Sequence, residues 1–279
     1  MTSHSNRLFS LEFFPPRTPE GIEKLRATRR QLAQLKPAFC SVTFGAGGST
    51  RDGTLQTVLE FCNEGLAGVP HISCVGASRD SLAEILAQYK AQGIRHVVAL
   101  RGDLPSGTVD AGDFEFASEL VEFIRSETGD WFHIDVAAYP EYHPQARSPQ
   151  DDLDAFKRKV DAGANSAITQ YFYNADAYWH FVDQCAAAGI SVPIVPGIMP
   201  ISSFVKLARF SDACGAEFPR WIRSKLQAYG DDTVSIRAFG LDVVTDLADG
   251  LLTRGAPGLH FYTLNLASLT TTIWQRLGL

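Results

Sequence analysis

The chain has no apolar run of membrane-spanning length, no surplus of positive charge and no pair of cysteines at CxxC spacing. A helical span needs about 20 consecutive apolar residues, so a membrane partner is not expected. Lys and Arg total 25 against 31 Asp and Glu, a formal charge of −6. Without a broad basic surface, nucleic acid is not an expected partner either, and an anionic ligand must be met by a local group of cations. The five cysteines, Cys40, Cys62, Cys74, Cys185 and Cys214, are odd in number and sit mostly in apolar contexts. That suits reduced thiols in a cytosol-like compartment, with neither a disulfide framework nor a metal site. Met1 to Asn6 is polar and lacks the apolar stretch of a secretion signal, so the expected location is the cytoplasm. The seven histidines show no HExxH or paired-ligand spacing. No strand-end lysine suggests a Schiff-base aldolase, and no GxSxG suggests a hydrolase.

What is present is a regular alternation. Short apolar runs at Leu8 to Phe14, Phe39 to Gly45, Val69 to Val75, His96 to Gly102, His133 to Tyr139, Ala167 to Tyr173, Val192 to Ile198 and Leu259 to Leu264 read as eight strands. Between them, helical periodicity marks Gly21 to Leu35, Asp52 to Glu64, Ser81 to Gln92, Phe114 to Glu127, Pro149 to Ala162, Ala175 to Ala188 and Ser202 to Ser211. Strict β-α alternation without a linker or composition break predicts a single (β/α)8 TIM barrel over residues 1–279. The interval between strands seven and eight leaves room for extra helices around Phe218 to Tyr229 and Thr233 to Thr253. An open doubly wound sheet would usually carry a Gly-rich first turn, which is missing here.

In a parallel α/β barrel, ligands gather at the carboxyl ends of the strands. The fourth strand stops there at Arg101-Gly102-Asp103, opposite charges astride a glycine. These are site candidates, unless they simply pair across a surface turn. Glu12, in Leu11-Glu12-Phe13-Phe14-Pro15-Pro16, is costly to bury charged among such neighbours, which suits a proton donor. Alternation turns it away from Leu11 and Phe13; the competing reading pairs it with Arg17. The loop Thr43-Phe44-Gly45-Ala46-Gly47-Gly48-Ser49-Thr50 lets backbone approach a ligand but fails the dinucleotide fingerprint, because Thr50 takes the third glycine's place.

After strand five come Tyr139 and His143, and the next helix carries Asp152, Ala155, Arg158 and Lys159 beside a buried stripe of Leu153, Phe156 and Val160. Because that helix runs away from the barrel mouth, a ligand touching both Tyr139 and Lys159 would have to be long, like a dinucleotide. Alternatively, the run Lys157-Arg158-Lys159 only complements the helix C-terminus, with Asp154 pairing to Arg158. Gln170, at the end of strand six, offers an amide able to read a flat heterocycle. Trp221 and Trp274 are candidates for a contact surface between copies of the chain.

Several of these segments carry a likeness. Leu11 to Arg17, Val97 to Pro105, Ala137 to Glu141 with His143-Pro144, Lys157 to Ala164, Ile168 to Gln170 and His260 to Asn265 together resemble bacterial 5,10-methylenetetrahydrofolate reductases. The resemblance implies a barrel that binds FAD without a Rossmann motif, is reduced by NADH or NADPH and then reduces 5,10-methylenetetrahydrofolate to 5-methyltetrahydrofolate in ping-pong fashion. It makes Glu12 the general acid and sets Asp103 beside flavin and pterin. FAD contacts would fall on Thr43, Phe44, Ala46, His71, Arg101, Gly102 and Asp103, then on Phe116, Ala117, Tyr139, His143, Ala146, Asp152, Arg158 and Lys159. Gln170, Phe210 and Lys206 would meet the alternating substrates. The chain departs from the family pattern at Phe44 and Phe116 in place of tyrosines, Ala155 in place of asparagine, Lys206 in place of glutamine and Leu266 where arginine is common. Two other classes keep the barrel and lose the chemistry: a flavin-free pterin-binding transferase and a non-catalytic flavin- or pterin-binding accessory subunit.

Overall fold

A computed structural model describes residues 7–45, 51–102 and 112–279. The elements follow in the order β1 (Leu8–Phe13), α1 (Pro19–Ala33), β2 (Phe39–Val42), α2 (Arg51–Asn63), β3 (Gly68–Ser73), α3 (Arg79–Ala91), β4 (His96–Leu100), α4 (Ala117–Thr128), β5 (His133–Ala138) and α5 (Pro149–Asp161). The second half continues with β6 (Ser166–Thr169), α6 (Ala175–Ala187), β7 (Ile194–Val195), β8 (Gly197–Ile198), α7 (Phe204–Cys214), α8 (Arg220–Ala228), α9 (Thr233–Thr253), β9 (Gly258–Tyr262) and α10 (Ala267–Arg276). All the strands pair in parallel, in the order β7-β6-β5-β4-β3-β2-β1-β9-β8. β7 and β8 are two halves of one strand separated by Pro196, so the sheet closes on itself through that residue as a (β/α)8 barrel. The helices between strands seven and eight are there as expected. No helix among the described residues is long and apolar enough to cross a membrane.

Two cores follow from strand alternation. Outward residues such as Leu11, Phe13, Val42, Ile72, Val97, Ala99, Val136 and Phe261 pack under the helices in one large apolar layer. The inward set is smaller and more polar. Phe39, Val69, Val98 and Ile168 fill the barrel's waist, while Ser10, Ser41, His71, Asp135, Ser166 and His260 are buried polar side chains.

Helix starts follow their caps. The side chains of Thr18, Ser78, Ser148 and Asn174 accept from the backbone N–H groups of Gly21, Ser81, Asp151 and Asp176. The first two caps open α1 and α3 two residues before the periodicity does. α4 instead begins three residues late, because the Glu119 carboxylate reaches back to the N–H groups of Glu115 and Phe116 and fixes the entry there. α10 has no counterpart in the sequence reading. Its Ser-Leu-Thr-Thr-Thr run is poor helix material, and the helix is held by burying Leu269, Ile273 and Trp274. Trp274 is only 4% exposed, stacked edge-on against Phe9, so it marks no contact surface; Trp221 is exposed.

Candidate functional site

The strands end earlier than their apolar runs. β2 stops at Val42, β3 at Ser73, β4 at Leu100, β5 at Ala138 and β6 at Thr169. Thr43, Phe44, Arg101, Gly102, Tyr139 and Gln170 are therefore loop residues around the mouth. Gly102 adopts φ +83°, and a Cβ there would collide with the Ser73 hydroxyl, so no other residue turns the chain at this point without strain.

β1 points Leu8, Ser10 and Glu12 inward, as alternation predicts, and β9 does the same with His260 and Tyr262. Glu12 lies between two buried imidazoles: its Oε2 is 3.5 Å from Nε2 of His71 and 3.6 Å from Nε2 of His260. Neither nitrogen has a hydrogen-bond partner among the described residues. His260 is fully buried, and its Nδ1 is 2.7 Å from the Ser10 hydroxyl. Burial pushes His71 down to about 4, against the pull of Glu12, so His71 is neutral near pH 7. Arg17 is exposed and forms no ion pair with Glu12. The acid thus meets two buried imidazoles in place of a permanent cation.

Glu12 opens into a mouth cavity of about 470 Å³ whose wall includes His71, Thr43, Phe44, Gln170, Phe210 and Tyr262. The Gln170 Oε1 accepts from the Tyr171 backbone N–H, which leaves its amide N–H groups for a ligand. Tyr262 donates to the Thr169 carbonyl at 2.7 Å, and it packs over Gly197, where a Cβ would sit 2.6 Å from the Tyr262 ring. Phe210 hangs half-exposed at the rim from α7. Lys206, one turn earlier on that helix, is exposed and lines neither the mouth nor the cavity beside it.

That neighbouring cavity is a trough of about 620 Å³. It shares Leu100, Gly102, Ala137 and Tyr139 with the mouth, so the two form one continuous concavity. Small residues, Ala117, Ala146 and Ala155 among them, keep it open. Along it stand Arg101, Phe116, His143, Asp152, Arg158 and Lys159. Burial raises the proton affinity of Asp152, whose carboxylate accepts from the His143 backbone N–H at 3.2 Å. Arg101 donates to Gln145 Oε1 at 2.6 Å, and Arg158 has no partner among the described residues.

The Lys157–Lys159 run resolves into three fates. Lys157 pairs with Asp161 at 3.0 Å, Arg158 faces the trough, and Lys159 Nζ donates to the Ala137 carbonyl at 2.6 Å. Asp154 takes Gln150 and not Arg158. Because the Lys159 stem climbs back to Ala137, its charge lies near Tyr139, and the inference of a long ligand from their separation fails. The extent of the joined cavities supports it instead. Burial lowers Lys159 to about 8, with Asp152 pulling the other way.

Two expected positions, Ala46 and Asp103, lie outside the described residues. Ser10, His260 and Tyr262 were not singled out from sequence, although the i, i+2 pairs Ser10/Glu12 and His260/Tyr262 on two strands were readable signals.

The family model described as methylenetetrahydrofolate reductase matches residues 1–278. A 5,10-methylenetetrahydrofolate reductase of Pectobacterium carotovorum is 44% identical over 274 residues, covering 96% of this chain and 89% of the relative. The enzyme of that name from Escherichia coli K12 is 44% identical over 271 residues, covering 96% and 90%. A methylenetetrahydrofolate reductase (NADH) of Arabidopsis thaliana is 38% identical over 293 residues, covering all of this chain and 50% of the plant protein. Among solved structures, a Clostridium thermocellum protein described as binding two copies of 5-methyl-5,6,7,8-tetrahydrofolic acid superposes with a TM-score of 0.69 at 15% identity, over 98% of this chain and 95% of that one. At that identity it speaks for the barrel alone. The match over nearly the whole length, with bacterial relatives of almost the same size, makes this chain a member of the methylenetetrahydrofolate reductase family.

Proposed function

We propose that residues 1–279 form one FAD-binding barrel, working in the cytoplasm, that reduces 5,10-methylenetetrahydrofolate to 5-methyltetrahydrofolate with NADH or NADPH as hydride donor. One observation carries the reading: a carboxylic acid set between two buried imidazoles at the foot of a mouth that runs into a cation-lined trough.

The trough suits a flavin dinucleotide on three counts: its floor is of small residues, its length continues into the mouth, and the Arg158 side chain faces it with no partner among the described residues. Arg101, Arg158 and Lys159 would hold the phosphates, with Gly102, Phe116, Ala117, Tyr139, His143, Ala146 and Asp152 along the rest of the group and Thr43, Phe44, Ala46, His71 and Asp103 at its mouth end. When bound, the flavin supplies a hydride acceptor and donor, so nicotinamide and folate can use one place in turn.

The chain's own residues do the rest. Glu12 delivers the proton as the folate's one-carbon bridge opens to an iminium, leaving a carboxylate that the His71 and His260 N–H groups can stabilise. Gln170 offers its amide to either flat ring, and Phe210 covers the rim. Lys206 stands too far out to line the cavity, so its contact would be with a part of the substrate that protrudes. Asp103 would act beside flavin and pterin.

Anaerobic titration tests the whole reading. Yellow protein bleached by NADH or NADPH and recoloured by the folate is the expected result. Colourless protein that ignores both nicotinamides would leave a flavin-free transferase; flavin that is bound but never reduced would leave a binding subunit.

A further inference from the structure

The end of the barrel away from the mouth holds a second group of ligating side chains. His96 opens β4 and His133 opens β5, and the two are register partners with rings 4.5 Å apart, edge to face. Asp135 follows two residues after His133 on the same inward face and is 3% exposed. Its Oδ2 is 2.8 Å from His96 Nε2 and its Oδ1 is 3.5 Å from His133 Nε2. Ser166, the first residue of β6, donates to Oδ1 of the same carboxylate and lies 2.6 Å from His133 Nε2.

A buried carboxylate ordinarily has a permanent cation beside it. Among the described residues Asp135 has none: its ion-pair partners are the two imidazoles alone. The carboxylate is met instead by His96, His133 and Ser166, three side chains gathered around it under the barrel floor. His133, meanwhile, is 47% exposed, which gives an ion a way in from solvent.

We propose that His96, His133 and Asp135 bind a divalent transition-metal ion of the Zn²⁺ type. One ligand atom from each of the three residues lies within 4.8 Å of the others. Tetrahedral bonds of about 2.0–2.2 Å would set these atoms about 3.3 Å apart. The separations of 2.8 and 3.5 Å run to the two different oxygens of Asp135 and the whole set spans up to 4.8 Å, so the side chains would draw together by up to about 1.5 Å to close on the ion. Two imidazoles and one carboxylate suit Zn²⁺, Co²⁺, Ni²⁺ or Cu²⁺, whereas Mg²⁺ and Ca²⁺ require more oxygen. Each neutral ring presents its Nε2 lone pair by carrying its proton on Nδ1, an imidazolium releases one proton, and Ser166 stays on the carboxylate as an outer partner. Water takes the fourth position on the exposed side of His133. At this end of a barrel the ion would tie β4 to β5, adding stability and leaving the mouth chemistry alone. The proposal does not depend on the folate reading.

The test uses the full chain stripped with a chelator and dialysed against Zn²⁺ alone, with binding measured by calorimetry and unfolding followed by heating. One equivalent should bind and raise Tm. His133→Ala removes the contacts with Ser166 and Asp135 and so lowers the metal-free Tm; measured from that new baseline it should gain less Tm from Zn²⁺ than the parent and lose at least about tenfold in Zn²⁺ affinity. Cu²⁺ in place of Zn²⁺ should give an electron paramagnetic resonance signal split by two nitrogens in the parent and one in the variant. Equal Zn²⁺ binding by parent and variant, or no stoichiometric binding by the parent, would overturn the assignment.

Discussion

The Ser10 hydroxyl and Nδ1 of His260 are 2.7 Å apart inside a fully buried pair, and the other ring nitrogen of His260 faces Glu12. The direction of that one hydrogen bond sets what the ring turns toward the acid. When Ser10 donates, Nε2 faces Glu12 as an N–H; when Nδ1 donates to Ser10, Nε2 can face Glu12 as a bare lone pair, in both cases 3.6 Å from Oε2. The serine thereby lets His260 offer Glu12 either a donor or an acceptor.

Glu12→Gln keeps the shape and removes the proton. The folate half-reaction should slow by at least ~100-fold, with flavin reduction by the nicotinamide nearly unchanged. Anaerobic stopped-flow at the flavin band separates the two; equal slowing of both would make Glu12 a cofactor contact. Ser10→Ala should affect the folate step alone and more mildly, about tenfold, and displace its pH profile.

Lys159 gives a pH dependence to the flavin-free protein. Its pKa falls from 10.5 unfolded to about 8 folded, so between those values the unfolded chain binds the extra proton and stability rises with pH. Lys159→Met should remove that rise, measured by urea unfolding from pH 7 to 10.5. The same variant should retain less flavin on gel filtration at pH 7, where the native side chain is cationic.

Arg29 is 2% exposed, bonded to Glu64 and 3.2 Å from Glu60, with its guanidinium 5.1 Å from the Phe61 ring centroid. It joins α1 to α2. Arg29→Met keeps much of the volume and leaves two partly exposed acids together, which should cost about 2–3 kcal/mol in denaturant unfolding. The kinetics at the mouth should not change.

Gly197→Ala places a methyl group 2.2 Å from the Thr169 carbonyl oxygen and against the Tyr262 ring. Overpacking of this kind should destabilise by about 1–3 kcal/mol. Since Tyr262 lines the mouth, the folate KM should rise together with the fall in Tm; a lower Tm with an unchanged KM would limit Tyr262 to a structural part.

The barrel was legible because buried parallel strands are continuous apolar runs, and eight of them alternated with helical periods. Their ends were not. Val75 and Tyr173 continue the run in composition beyond the last strand residue because both are buried like the strand itself, whereas Gly102 turns the chain at the mouth. Pro196 was hidden inside an apolar run in the same way. Glu12 stood out by its setting, and its inward direction followed from alternation. The family resemblance alone marked His71, as a cofactor contact, and nothing marked His260, because a histidine inside a strand looks the same whether it fills the core or touches an acid on a nearby strand. His96, His133 and Asp135 escaped for a related reason: metal-ligand spacings assume ligands on one element, whereas here strand register brings together residues almost forty positions apart.

Pro196 leaves strand seven as two dipeptides, one bonded to β6 and the other to β9, with the Gly197 N–H turned to the Thr169 hydroxyl. The ring of backbone bonds is therefore thinnest along this line. Deuterium should enter the wall here before anywhere else in the sheet, and a slow widening of the mouth for a bulky ligand would hinge at this seam, directly beneath Tyr262.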